Sequence, residues 1–181
     1  LEGFTLNYQE TKVTFSKTIN NFLFHHLEEK IYSTQNLSQT ELEEIYLLAF
    51  ESGKYSRFKK DDNFKKNEFK RLYKRWVDNS LIPDGHNEMF FYRSNKEILG
   101  FITVQKFSDY ASIGLIGVSP KVQGKGIGTK LLEKVEEEMV AQGIFKLQVR
   151  TQLLNEDACD FYRKKGFFQS DSTIIKHYWR V

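Results

Sequence analysis

Cysteine, proline and methionine are all scarce in these 181 residues: one, two and two respectively. The lone thiol, Cys159, can form no internal disulfide and rules out a multi-cysteine zinc motif. A reducing compartment, the cytoplasm, is therefore expected, and no metal site. The two prolines, Pro83 and Pro120, leave no proline-rich linker, and no segment is low in complexity or repeated. No run of about 18 apolar residues exists, so no spanning helix is expected and no membrane partner. No charged-then-apolar leader opens the chain. It starts with Leu, so further residues are expected upstream. A dominant charge is lacking too: 27 basic against 24 acidic residues give +3, too little for a histone-like protein.

What is present is the balance of a globular domain, 40% hydrophobic and 28% charged, with 15% aromatic residues. A chain of this length buries roughly 70% of its unfolded surface and needs no covalent staple. Its charge is uneven. Residues 54–75 hold ten cations and three acids, and the rest holds seventeen against twenty-one. A net +7 segment thus sits on a net −4 chain. Three readings stay open for it: a solvated helix face, a cradle for an anionic substrate, or a nucleic-acid contact. The last is disfavoured, because its aromatics fall on a core-facing stripe and form no stacking surface.

Periodicity places the elements. Phe4–Tyr8 and Val13–Ile19 read as two short strands. Leu37–Phe50 reads as a helix opened by a Ser38/Glu41 capping box and closed at Gly53. Phe64–Ser80 reads as a second helix, with Phe69, Leu72, Tyr73 and Trp76 on one face. A turn at Pro83-Asp84-Gly85 leads into strands at 88–93 and 98–107, joined around Ser94–Glu97, and a third at 111–118. A helix at 125–142, a strand at 145–151, a helix at 155–165 and a strand at 173–180 complete the chain. In the last strand Ile174, Lys176 and Tyr178 share one face, and Ile175, His177 and Trp179 the other. The order β-β-β-α-β-α-β implies an α/β (α+β) fold: a mixed sheet with helices on its faces.

Three of the eleven glycines fall in Gln123-Gly124-Lys125-Gly126-Ile127-Gly128, between a strand and a helix. A helix start offers unpaired N–H groups and the positive end of the dipole. Glycine lets a large anion approach that backbone, and a pyrophosphate fits best. Lys121, Lys125 and Lys130 add charge. Walker and dinucleotide loops do not fit: Gly126 follows Lys125, and Thr129 stands where a third glycine is needed. An ordinary glycine-rich helix start without ligand is the alternative.

This loop resembles the central motif of the GCN5-related N-acetyltransferase (GNAT) family, [RQ]-x-x-G-x-[GA] after a strand. The strand and its Val118-Ser119-Pro120 ending match as well. So does a second motif, Asn155 followed by a helix ending Phe161-Tyr162-Arg163-Lys164-Lys165-Gly166-Phe167. The resemblance covers residues 88–181. It implies the GNAT fold, a mostly antiparallel mixed sheet with two splayed central strands, here 111–118 and 145–151. It also implies acetyl-CoA as cosubstrate and a small-molecule amine as partner. Backbone amides of Gln123, Gly124, Lys125, Gly126, Ile127, Gly128 and Thr129 would hold the CoA pyrophosphate. Main chain of Ile116 and Val118, with Asn155, would hold the pantetheine arm. Residues 37–181 would be the acetyltransferase domain and 1–36 N-terminal strands, the remnant of a longer region.

Glu51 through Phe58, with Trp76–Ser80, Ser172-Thr173 and Tyr178-Trp179, is similar to the bacterial dTDP-4-amino-sugar N-acetyltransferases typified by the dTDP-fucosamine enzyme. That narrower likeness implies an amine on a nucleotide-linked sugar, with Tyr55, Ser56, Arg57 and Phe58 contacting it. Arg57 stands out, since guanidinium pairs bidentately with phosphate. Acetylation of a polyamine or a protein N-terminus, or a silent acyl-CoA-binding module, are the competing functions. A homodimer is one expected assembly, and no nucleic acid is expected.

The chemistry needs a neutral amine, N–H donors for the developing oxyanion, and a proton for the leaving thiolate. Backbone near Ile116 suits the oxyanion. Tyr162 suits the proton, because a phenol with a pKa of about 10 stays protonated at neutral pH. Glu51, His177 or a water chain stay open as the base. Cys159 is expected to be a packed thiol and no covalent carrier.

Overall fold

The computed structural model describes residues 2–20, 30–33, 37–82 and 84–180. In chain order the elements are β1 (Phe4–Thr18), β2 (Ile31–Ser33), α1 (Gln39–Ser52), α2 (Arg57–Lys60), α3 (Glu68–Asn79) and β3 (Asn87–Ser94). They continue as β4 (Glu97–Lys106), β5 (Ala111–Val118), α4 (Ile127–Ala141), β6 (Lys146–Gln152), α5 (Glu156–Lys164) and β7 (Phe168–Arg180). The strands form one sheet in the order β2-β3-β4-β5-β6-β1-β7. Among the described residues the strand pairings are antiparallel except β5 with β6.

Alternation along the strands separates two cores. On one face Val13, Phe15, Ile102, Ile113, Leu147 and Val149 pack with Leu131, Val135 and Met139 of α4 and Cys159 and Tyr162 of α5. On the other, Met89, Phe91, Ile98 and Phe101 pack with Ile45 and Ala49 of α1 and Phe69, Tyr73 and Val77 of α3. Burial of this kind contributes about 25 cal/mol per Å² of apolar area, which makes the two helical layers the main source of stability. The Ser38/Glu41 capping box is formed. The β3–β4 hairpin turns at Asn95 and Lys96, both at positive φ (52° and 64°), the hand that matches strand twist.

Three elements differ from the sequence reading. The two N-terminal runs are one 15-residue strand, because polar Glu10–Lys12 are held by backbone pairing to β7, with Lys12 also paired to β6. The helix expected from Phe64 starts at Glu68. Residues 61–63 instead form a side-chain turn, with Asn63 N–H donating to Asp61 Oδ1 (3.1 Å), and Phe64 packs on β7. The last strand starts at Phe168, since Phe168–Thr173 pair with β1 despite lacking an apolar rhythm. Of the expected turn at 83–85, Pro83 lies outside the described residues; Asp84 Oδ1 accepts from His86 and Asn87 N–H.

Candidate active site

β5 and β6 are parallel partners only from Ala111/Leu147 to Ile113/Val149. Beyond that point β5 stays with β4 and β6 stays with β1, so the sheet opens between them. A bulge directs β5 away. Its register against β4 shifts between Ile102 and Val104, and Thr103 Oγ1 accepts the Leu115 N–H at 2.8 Å. Gly114 makes room for this, since a Cβ there would stand 2.8 Å from Thr103 Oγ1. Past Ile113, the edge of β5 facing the gap has no strand partner, and its N–H and C=O groups are available to a ligand.

A cleft of about 660 Å³ runs through this opening. Asn155, Ala158 and Tyr162 of the α5 side line it on one face of the sheet. Ser56, Arg57, Phe58, Tyr73 and Trp76 line it on the other, and Ile113–Ile116 and Val149–Gln152 form the rim between. Of the expected site residues, Ile116, Asn155 and Tyr162 thus meet Ser56, Arg57 and Phe58 in one cavity. Tyr55 does not line it and lies beneath Lys54 Nζ, 5.4 Å from the ring.

Val118 ends β5 at the mouth of the glycine turn, where its carbonyl accepts from Gln123 Nε2 at 3.1 Å. Gly124 and Gly126 both take positive φ (78° and 80°), in open space. They are required by backbone conformation, since L-residues pay about 1–2 kcal/mol there. Gly126 is the N-cap of the 15-residue α4, and no side chain caps it. The first N–H groups of α4, over Ile127, Gly128 and Thr129, are thus presented to a ligand with the positive end of the dipole. This uncapped, exposed turn is the observation by which a CoA pyrophosphate fits here.

Tyr162 is 3% exposed, packed among Phe15, Phe161 and Phe167, and still reaches the cleft. Burial first, then nearby Cys159, pushes its phenol far above the ordinary value, so it stays protonated. Asn155 caps α5, its Oδ1 accepting from Ala158 N–H at 3.4 Å. Cys159 is buried in the core, with Sγ toward the carbonyls of Gln152 and Leu153 (3.7 and 3.9 Å). Burial pushes its thiol up, away from the thiolate that covalent transfer would need.

The opposite end is built from charged side chains. α2 is pinned at both ends to the strands beneath it. Asp61 Oδ2 is 2.6 Å from His177 Nδ1 and accepts from Trp179 Nε1 at 2.9 Å, while Phe64 sets its edge against both rings. Burial alone would raise the Asp61 carboxyl; the hydrogen bonds from His177, Trp179 and Asn63 outweigh it and hold it at about 2. At the other end Arg57 Nη1 lies 3.6 Å from the buried Glu10 Oε1, and Tyr8 O–H donates to Glu10 Oε2 at 2.9 Å. His177 is thereby committed to Asp61, and neither it nor Glu51 lines the cleft.

Of the ten cations in 54–75, only Arg57 lines this cleft. Lys59, Lys70 and Lys74 lie over Phe69, Phe50 and Tyr46 on the outer face of the α1/α3 layer. Two other cations do enter, Lys12 of β1 and Arg150 of β6, and sequence reasoning missed both. Strand alternation puts Lys12 on the face opposite Val13 and Arg150 on the face opposite Val149 and Thr151, but no local signal brings the two together.

Residues 39–167 match the model of the acetyltransferase (GNAT) family. The chain belongs to that family. It is 26% identical over 84% of its length to an uncharacterized N-acetyltransferase of Methanocaldococcus jannaschii. It is 31% identical over 66% to streptothricin acetyltransferase A, and 27% over 76% to the spore coat polysaccharide biosynthesis protein SpsD, both of Bacillus subtilis. The matches span 66%, 68% and 47% of those relatives' own lengths. Among solved structures, the PaiA N-acetyltransferase of Thermoplasma acidophilum, in complex with coenzyme A, aligns with TM-score 0.62 at 20% identity, over 82% of this chain and 99% of that one. The seven-stranded mixed sheet with its helices is the GNAT fold. No helix among the described residues is long and apolar enough to cross a membrane.

Proposed function

We propose that the chain transfers an acetyl group from acetyl-CoA to a primary amine by direct attack, and that the amine is carried by a nucleotide-linked amino sugar. The observation that carries this reading is the single cleft crossing the sheet, with Tyr162 at one face and Arg57 at the other. When bound, acetyl-CoA supplies an electrophilic thioester. The turn over 123–129 holds its pyrophosphate with main-chain N–H groups. The open edge of β5 at Ile116 and Val118, with Asn155, aligns the pantetheine arm in the gap. N–H groups of that edge face the carbonyl oxygen as charge develops on it. Tyr162 gives its proton to the departing sulfur, and its burial keeps that proton in place until then; the proton lost by the attacking amine passes to water in the open cleft, and Tyr162 regains one by the same route.

The charge of the cleft supports the acceptor class. Among the described residues, Lys12, Arg57 and Arg150 line it against one acid, Asp84. A polyamine would be repelled there, and a diphosphate attracted. The relationship to a polysaccharide biosynthesis protein agrees with an amino-sugar acceptor. The deciding assay is CoA release with a panel of dTDP-amino sugars, polyamines and peptides. Saturable turnover with the nucleotide sugars is expected. Turnover with another amine alone moves the acceptor class, and acetyl-CoA binding without turnover leaves a binding module.

A further inference from the structure

Lys12 and Arg150 come from strands that are neighbours in the sheet. Lys12 stands opposite Gln152 and Thr14 opposite Arg150, so the two cations are diagonal neighbours on one face. That face is the one α2 covers, and Arg57 projects from α2 into the same cavity. Behind them, Glu10 is 5% exposed and holds one acidic oxygen toward Arg57 at 3.6 Å without completing a hydrogen bond. Like charges gather here against their own repulsion. Burial first, then Arg57 and Arg150, make Lys12 harder to protonate than an ordinary lysine. One buried carboxylate, already shared with Tyr8, leaves this cluster electropositive. Such frustration is relieved by an anion, and it costs stability otherwise.

We infer that Lys12, Arg57 and Arg150 form a diphosphate subsite that anchors the acceptor with its amine toward the gap between β5 and β6, and that Glu10 is the positioning residue for Arg57. The subsite rests on the acceptor reading above for its role in turnover, but anion binding is a property of the residues themselves. The three cations come from three elements, so they converge only in the folded chain. The guanidinium groups take phosphate oxygens in pairs, and Lys12 adds a point charge. A sugar phosphate and a nucleotide diphosphate share the recognised chemistry; the longer anion engages all three cations.

The test uses the full chain saturated with CoA, so that the glycine turn is occupied. Calorimetric titration with inorganic pyrophosphate is expected to show binding stronger than with inorganic phosphate. Lys12→Met and Arg150→Met are each expected to weaken it about tenfold, and Lys70→Met, outside the cleft, to leave it unchanged. Retained CoA affinity reports that each variant is folded, and Arg150→Lys keeps charge while removing the fork if Arg150→Met fails that check. No pyrophosphate binding by the CoA-saturated chain, or binding by Lys12→Met and Arg150→Met as strong as that of the unaltered chain, overturns the subsite. A parallel measurement separates the two readings. Weakened pyrophosphate binding without turnover of any nucleotide amino sugar keeps the subsite and removes the acceptor assignment. Turnover with unchanged KM in both variants keeps the acceptor and removes the subsite. For Glu10→Gln the expected result is a raised acceptor KM at constant kcat; a fall in kcat alone contradicts a positioning role.

Discussion

The two ends of the cleft are made of different material. At the α4/α5 end the groups left open are main-chain N–H groups of the turn before α4 and the unpaired edge of β5, supported by short-range geometry. At the α2 end they are long cationic side chains held by contacts between residues far apart in the chain, such as Arg57 with Glu10 and Asp61 with His177. A backbone site accepts many side-chain changes provided its dihedrals survive. A side-chain site is redrawn by one substitution. On the function proposed above, the fold would keep the cosubstrate end constant in kind and leave the acceptor end free to specialise.

That contrast breaks most visibly at the reacting centre between the ends. Tyr162→Phe is expected to lower kcat roughly 10²–10⁴-fold with little change in acetyl-CoA affinity. Unchanged kcat in steady-state assays removes Tyr162 from the proton-donor role. At the acceptor end, Arg57→Met is expected to raise acceptor KM about 10- to 100-fold, the range of a charge-assisted hydrogen bond, and to spare the KM for acetyl-CoA. At the other end, Gly126→Ala forces an L-residue to φ near 80°. It is expected to raise the acetyl-CoA KM about tenfold and spare the acceptor KM. If the two variants show the same KM pattern, the division of labour is wrong.

A smaller effect concerns the anchor of α2. Asp61 is 4% exposed and its carboxyl is held at about 2, below the ordinary 3.8. A carboxylate lowered by folding stabilises the protein above its unfolded value and stops doing so as pH falls through the folded one. Stability on the order of 2 kcal/mol is thus expected to be complete above about pH 4 and lost toward pH 2. Urea unfolding at several pH values checks this: Asp61→Asn should be less stable at pH 6 and show a flatter acid limb. The smallest effect is expected for Lys74→Met, which removes a charge over Tyr46 outside the cleft and should move neither KM.

Legibility in the sequence followed the same division. The glycine turn, Asn155 and Tyr162 lie within short contiguous motifs, which the family resemblance picks out and whose spacing places each group on a helix start or a helix face. The order of the last seven elements was legible for the same reason, through apolar period and caps. Lys12 and Arg150 were not, because their partnership depends on β1 entering the sheet between β6 and β7, a long-range pairing with no local signature. The basic segment, left open three ways by the sequence, divides for a related reason. Its cations are close in sequence, but they run over α2, the turn at 61–63 and α3, and only Arg57, at the start of α2, reaches the cleft.

The most direct test of the account gives the enzyme one amino sugar in two forms, free and linked to a nucleotide diphosphate, and compares kcat/KM by CoA release. At least a tenfold advantage for the linked form is expected, abolished when Lys12 and Arg57 are both replaced by Met. Equal or better turnover of the free amine, or an advantage that survives the double substitution, would contradict it.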